Sequence, residues 1–225
     1  MLIDNDLIRF CAQKTREVAV DHDKSCGAAE GEGLPRSAED LHLIMMGRHG
    51  FPIYHRGLRI EWTKAKFRSF YVPKGEKNTI KECAIYYAKG LPAPYLRFYK
   101  TKELLQIHLW QESLVTRDIV ELVQNMILRE SPGSVDLNLG HPATSDTLGE
   151  IAAAEFLFPM KRRLEYLKNG TKKNGVSEQA ELYNIPPFVV QRALSHVPSL
   201  REFFCPNDDG PDDKKQRKVQ RSGGK

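Results

Sequence analysis

The stretch Arg97-Phe98-Tyr99-Lys100-Thr101-Lys102-Glu103-Leu104-Leu105-Gln106-Ile107-His108-Leu109 decides how the rest of the chain is read. Leu104, Leu105, Ile107 and Leu109 crowd apolar residues into less than two turns, so the segment reads as an apolar helix from about Tyr99 to Ser113. Immediately upstream, Gly90-Leu91-Pro92-Ala93-Pro94 reads as a loop, because its prolines have no N–H to give to a sheet. Before that loop the period is two. Thr79 to Ala88, with Ile80, Cys83, Ile85, Tyr86 and Tyr87, is expected to be a strand entering this region. Leu58 to Trp62 alternates apolar with polar, and Phe67 to Val72 does so in part, with Pro73-Lys74-Gly75-Glu76 as a turn.

Further out the pattern is helical. Asp4 or Asn5 can cap a first helix running to about Val20, and the Gly-, Ala- and acid-rich residues 21–36 read as a loop. Ser37 can cap a second helix with Asp40 at its third position, ended by Gly47-Arg48-His49-Gly50. Beyond the central segment, Val115 to Arg129 fits a helix and Ser131 to Ser145 an irregular connection. A helix from Asp146 to Phe158 is stopped by Pro159, and small residues at 149 and 152–154 would let a neighbouring helix come close. Lys161 to Leu167 and Glu178 to Tyr183 read as short helices, Asn184-Ile185-Pro186 as a turn, and Pro187 to His196 as the last helix.

Composition bounds the function. The chain has 225 residues, 40% of them hydrophobic and 28% charged, enough for one good core and ordinary for a globular protein. No run approaches the roughly 18 apolar residues of a membrane helix, and the acidic start Met-Leu-Ile-Asp-Asn-Asp has no signal-peptide pattern. Cys11, Cys26, Cys83 and Cys205 are far apart in sequence and read as reduced packing thiols of a cytoplasmic protein. After Asp208, Asp209, Asp212 and Asp213, the last twelve residues hold six Lys/Arg and no acid, so 206–225 is expected to be a disordered charged tail. There is no G-x-S-x-G, phosphate loop or G-x-G-x-x-G.

Within the central segment, Lys102-Glu103-Leu104-Leu105-Gln106 occupies the frame of H-E-x-x-H. That motif puts two imidazoles on one helix face to hold zinc, with the Glu between them activating water. Here the carboxylate is kept and both imidazoles are gone. Three segments in order extend the likeness: Arg97-Phe98 with Glu103-Leu104; Asp146-Thr147-Leu148, Ala152-Ala153-Ala154 and Leu157-Phe158-Pro159; then Ala180-Glu181, Tyr183, Ile185-Pro186, Val189-Val190 and Leu194. The set resembles the ImmA/IrrE family, small zinc metallopeptidases of phages, mobile elements and stress responses that act on transcriptional repressors. The resemblance spans about Ile53 to Leu194.

The resemblance implies an α+β fold: a zincin-like helical core with a small sheet over 53–159 and a helix-turn-helix-like helical end over 160–205, in one peptidase-like domain 1–205. It also implies that Lys102, Gln106 and Asp146 stand where the family has two histidines and a glutamate as zinc ligands, with Glu103 a vestigial general base. A lysine of ordinary pKa, about 10.4, is a cation and cannot coordinate one. The amide of Gln106 is a poor zinc ligand, and water needs a metal's charge to reach a pKa near about 7. The expectation is a catalytically inactive pseudopeptidase with no metal or cofactor, a regulator that binds a protein partner such as a repressor. The alternatives are an active metallopeptidase with an atypical ligand set, requiring zinc, and a DNA-binding regulator using the C-terminal helices. The ammonium of Lys102 and the amide of Gln106 either pair with Asp146 across the old cleft or face solvent at its mouth; sequence leaves both open.

Two further sets of residues are candidates for chemistry. His42, His49, His55, His108 and His141 are scattered, without a helical i, i+4 pair among them, and read as loop or packing residues, His108 as a surface or satisfied one. Gln191 and Arg192 on the last helix, the run Lys161-Arg162-Arg163 and the basic tail are the groups available for a weak nucleic-acid contact.

Overall fold

The computed structural model describes residues 5–29, 35–58, 68–73, 80–109, 140–169 and 175–205. Numbered in chain order, the helices are α1 (Asn5–Ser25), α2 (Ala38–His49), α3 (Ala93–His108), α4 (Gly140–Leu157), α5 (Met160–Lys168), α6 (Gly175–Tyr183), α7 (Pro187–Ser195) and α8 (Val197–Phe204). The strands are β1 (Ile53–Leu58), β2 (Arg68–Pro73) and β3 (Ile80–Ala88). The described residues are mostly helical with one small sheet, an α+β arrangement. The expected helix at Val115–Arg129, the turn beyond Pro73, most of the strand Leu58–Trp62, the first part of the connection after Ser131 and the tail 206–225 lie outside the described residues.

The centre is α3. Its residues Thr101, Lys102, Glu103, Leu104 and Leu105 are consecutive and all buried, which requires neighbours on every side of the helix. α2, α4 and the strands β2 and β3 supply them. The helix begins at Ala93, not at the expected Tyr99, with proline in its first turn. Pro94, expected in a loop, is tolerated because in a first turn its missing N–H is one that has no intrahelical acceptor anyway. The far end is also earlier than expected: Leu109 caps the helix, its N–H bonded to Leu105 O at 2.8 Å.

The sheet has strand order β1-β3-β2. β1 runs parallel to β3, pairing Ile53 with Cys83 and Leu58 with Ala88. β2 runs antiparallel to β3, pairing Arg68 with Tyr86 and Tyr71 with Cys83. Ile53, Cys83 and Ile85 turn inward onto Leu104, Leu105, Leu41 and Met45 in the main core, which continues through Ala152, Ala153 and Phe156 of α4 to Val189 and Val190 of α7. Each fully buried Leu or Ile contributes on the order of 2 kcal/mol against exposure.

Local signals set the ends of α2. Ser37 accepts from Asp40 N–H, and Gly50 closes the helix at φ 68°, a left-handed cap that disfavours any side chain. Three expectations fail at other ends. α1 runs on to Ser25, past Val20, because His22 and Asp23 continue the buried stripe of Ile8, Cys11, Thr15 and Val18. α4 begins at Gly140, not Asp146, again with a proline, Pro142, in its first turn. The helix ending at Ser195 is not the last: α8 follows with Pro198 in its first turn. Val197, Leu200, Phe203 and Phe204 of α8 form a second cluster with Ile8, Ala12 and Met160.

Candidate functional site

α3 and α4 lie side by side, and the residues that face each other there are Lys102 and Gln106 from α3 and Asp146 and Gly149 from α4. Positions 102 and 106 are one turn apart and share a face, as do 146 and 149. Lys102 Nζ donates to Asp146 Oδ1 at 2.6 Å, and Gln106 Nε2 donates to the same oxygen at 3.4 Å. The lysine side chain is only 7% exposed while the aspartate is 42% exposed. Neither Lys102 nor Gln106 points out into solvent at a cleft mouth. Burial pulls the Lys102 pKa down, but Asp146, Glu103 and Glu150 outweigh it and hold the ammonium above its ordinary value. The side chain is a cation here.

Gly149 explains how Gln106 fits. A Cβ at position 149 would sit 2.5 Å from Gln106 Cγ and 2.9 Å from its Cδ. Glycine inside a helix costs up to about 1 kcal/mol against alanine, and here its missing side chain is the space through which Gln106 reaches Asp146.

Glu103 is one residue further round α3 and is 2% exposed. Its carboxylate acts on Cys83 of β3: burial first, and then Glu103, push that thiol up to about 12. Glu103 therefore interacts with the sheet while Lys102 and Gln106 engage α4. Arg97, a turn before Thr101, donates to the backbone oxygens of Tyr183 and Arg36. It joins α3 to the end of α6 and to the approach to α2.

One turn along both helices from the Lys102–Asp146 pair, Phe98 and Glu150 border a small cleft with Ile151, Phe188 and Arg192, about 40 Å³ in volume. Phe188 closes it, 41% exposed, with its ring 6.1 Å from that of Phe98.

The other candidates separate. His42 and His55 meet at 2.8 Å between Nδ1 and Nε2, and His49 and His108 stack edge-on with centroids 5.6 Å apart. The side chain of His141 lies outside the described residues. His108 is not a surface residue: its side chain is 9% exposed, and both ring nitrogens are buried without a hydrogen bond. Burial, then His49 and the nearby Arg48 and Lys14, push its pKa down to about 4. Burial and then His42 do the same to His55, also to about 4. The run Lys161-Arg162-Arg163 is not a basic patch, because Arg163 is 1% exposed, ion-paired with Glu155 at 3.2 Å and donating to Phe158 O. On α7, Arg192 is held by Glu150 at 2.6 Å.

Sequence reading missed His22. It lies in the last turn of α1, four residues before Cys26 just past the helix end, an i, i+4 pair visible in sequence but lying wholly within the supposed loop 21–36. No protein-family model matches the chain, and no curated protein matches it. Among the described residues, no helix is long and apolar enough to cross a membrane.

Proposed function

We propose that this protein is a non-catalytic relative of the ImmA/IrrE-type metallopeptidases and works by binding a protein partner, a transcriptional repressor of a mobile element or stress response being the partner class the resemblance implies. In this reading the α3–α4 region is a zincin-like core, α6 to α8 are the helix-turn-helix-like end, and Lys102, Gln106 and Asp146 occupy former metal-ligand positions. The observation that carries it is the Lys102–Asp146 pair, 2.6 Å apart with the ammonium buried. A fixed positive charge sits where a zinc ion would need imidazole lone pairs, and it neutralises the remaining carboxylate. The chemistry of zinc activation is thereby blocked by the residues themselves: an ammonium repels a divalent cation and offers it no lone pair. Glu103, 2% exposed, has no activated water to deprotonate.

The test is reconstruction. Lys102→His with Gln106→His and Asp146→Glu should give a protein that takes up one zinc per chain more than the parent in calorimetric titration. The same variant should bind a candidate repressor as the parent does. No additional zinc would show that α3 and α4 do not hold the family's ligand frame. Cleavage of a repressor by the unaltered protein would overturn the non-catalytic reading.

A further inference from the structure

We propose that His22, Cys26 and Asp40 form a binding site for a thiophilic divalent metal ion, zinc by its ligand chemistry, at the junction of α1 and α2 and independent of the α3–α4 site. One ligand atom from each residue, the imidazole nitrogen, the thiol sulfur and a carboxylate oxygen, lie within 4.8 Å of one another. Cys26 Sγ is 4.0 Å from His22 Nε2 and 3.9 Å from its Nδ1, and Asp40 Oδ2 is 3.9 Å from Nε2. A tetrahedral ion with bonds of about 2.0–2.3 Å sets its ligands roughly 3.3–3.6 Å apart. Bringing them onto one ion at Nε2 takes a side-chain rotation of Cys26, whose sulfur now lies about midway between the two ring nitrogens, and a smaller one of Asp40. Cys26 is exposed and the Asp40 side chain is 47% exposed, so both can turn and an ion can reach them from solvent.

The third ligand is held rigid, as a metal-binding histidine usually is. The His22 side chain is 2% exposed, with its ring edge-on to Phe156 at 5.5 Å. Its Nδ1 faces Asp23 Oδ1 at 3.4 Å. Asp23 is in turn gripped by Arg36 through Nε and an Nη, each at 2.9 Å. This is the carboxylate–histidine pairing that orients imidazole ligands, and burial, outweighing Asp23, keeps the His22 pKa below its ordinary value and the ring neutral. The other nitrogen, Nε2, carries the lone pair, because it accepts from Ser37 N–H at 3.0 Å.

An incoming ion competes with that single N–H, and the fold provides it with a substitute acceptor. Ser37 is the N-cap of α2 and Asp40 is its third helical residue. A carboxylate at that position is the group that reaches back to the N-cap N–H in a capping box. With an ion on Nε2, one Asp40 oxygen ligates it and the other takes the Ser37 N–H, so no backbone donor is orphaned. Cys26 binds as thiolate and its proton passes to solvent; water completes the fourth position. One thiolate, one imidazole and one carboxylate suit zinc and its analogue cobalt, not magnesium or calcium.

The experiment titrates metal-free, full-length protein under reducing conditions with cobalt(II), then displaces it with zinc. The expected result is one cobalt per chain, with a thiolate-to-cobalt charge-transfer band that zinc abolishes. Cys26→Ser should remove the band, and Cys26→Ser and Asp40→Asn should each weaken zinc binding by at least roughly tenfold to a hundredfold, the loss typical even of residues behind the ligands. Both positions are exposed enough to leave the fold intact, which circular dichroism checks. Absence of the band in the parent, or zinc binding unchanged in both variants, overturns the proposal. Zinc that survives both substitutions but is lost with changes at Asp146 refutes this site and the non-catalytic reading together, whereas zinc lost with Cys26 leaves that reading untouched.

Discussion

Two substitutions that delete the same ion pair should differ in cost. Asp146→Ala leaves the Lys102 ammonium, 7% exposed, without its closest acceptor, and Lys102→Met leaves Asp146, 42% exposed, with water at hand and Gln106 still beside it. Breaking a fully buried pair from one side costs roughly 3–5 kcal/mol, and an exposed pair is worth roughly 0–1 kcal/mol. For Asp146→Ala, with one partner buried and the other half exposed, the expected loss is about 2 kcal/mol. For Lys102→Met the ammonium's desolvation is relieved and its stem is replaced by an apolar chain of similar length, so the expected loss is below about 1 kcal/mol. The double variant should be close to Lys102→Met alone, since no charge is then stranded in the core. The Lys102 pKa is raised on folding, so the ammonium's contribution is complete below the ordinary lysine value and is lost only as pH rises through the folded one. Urea unfolding at pH 7 thus measures it in full. If Lys102→Met costs as much as Asp146→Ala, the lysine is not held as a buried cation and the reasoning fails.

Other outcomes follow from the same geometry. Gly149→Ala places a Cβ 2.5 Å from Gln106 Cγ; it should destabilise by about 1–2 kcal/mol through overpacking, yet stabilise by up to about 1 kcal/mol once Gln106→Ala has cleared the space, a change of sign that thermal melts of the four proteins would reveal. Burial lowers His55 and His108 to about 4 in the folded chain. Between the ordinary histidine value and that pH the unfolded chain binds protons that the folded chain refuses, so stability should fall with pH by up to about 1.4 kcal/mol per unit for each histidine, less where water screens the ring. His108→Gln should flatten the urea midpoint against pH between neutrality and acid, and an unchanged slope would count against its burial.

How far the fold was legible depended on whether the deciding contact is local. Ser37 and Gly50 set the ends of α2 by bonds to residues three and four positions away, and both can be read from sequence. The apolar and aromatic residues Ile80, Cys83, Ile85, Tyr86 and Tyr87 marked β3 to within a residue. Prolines misled where they were read as parts of loops: Pro94 and Pro142 both sit in first turns, where proline costs no intrahelical hydrogen bond, whereas Pro159 does separate α4 from α5 as expected. The end of α1 was missed for a different reason. His22 and Asp23 look like loop residues until Arg36 and Ser37, thirteen and fifteen positions on, satisfy them inside the protein.

The candidate site shows the same limit in sharper form. A lysine and a glutamine one turn apart on an apolar helix are compatible with a buried pair or a solvated edge, and nothing within α3 decides between them. The decision is made by Asp146, 44 residues later on α4, and by Gly149, which clears the volume for Gln106. On the proposed reading the exchange of metal for lysine is physically coherent: one ammonium brings a positive charge between two helices without needing three ligands to hold it, and it cannot be removed by a chelator. A metal ion in that position would make the helix pair depend on supply and pH. On the reading proposed above, the covalently attached charge ties α3 to α4 and stands in place of the Lewis acid, so the frame would keep its surfaces without the reaction. A non-catalytic frame would act through contact, and the surfaces beside the pair are the Phe98–Phe188 cleft and the Glu150–Arg192 bridge on its rim.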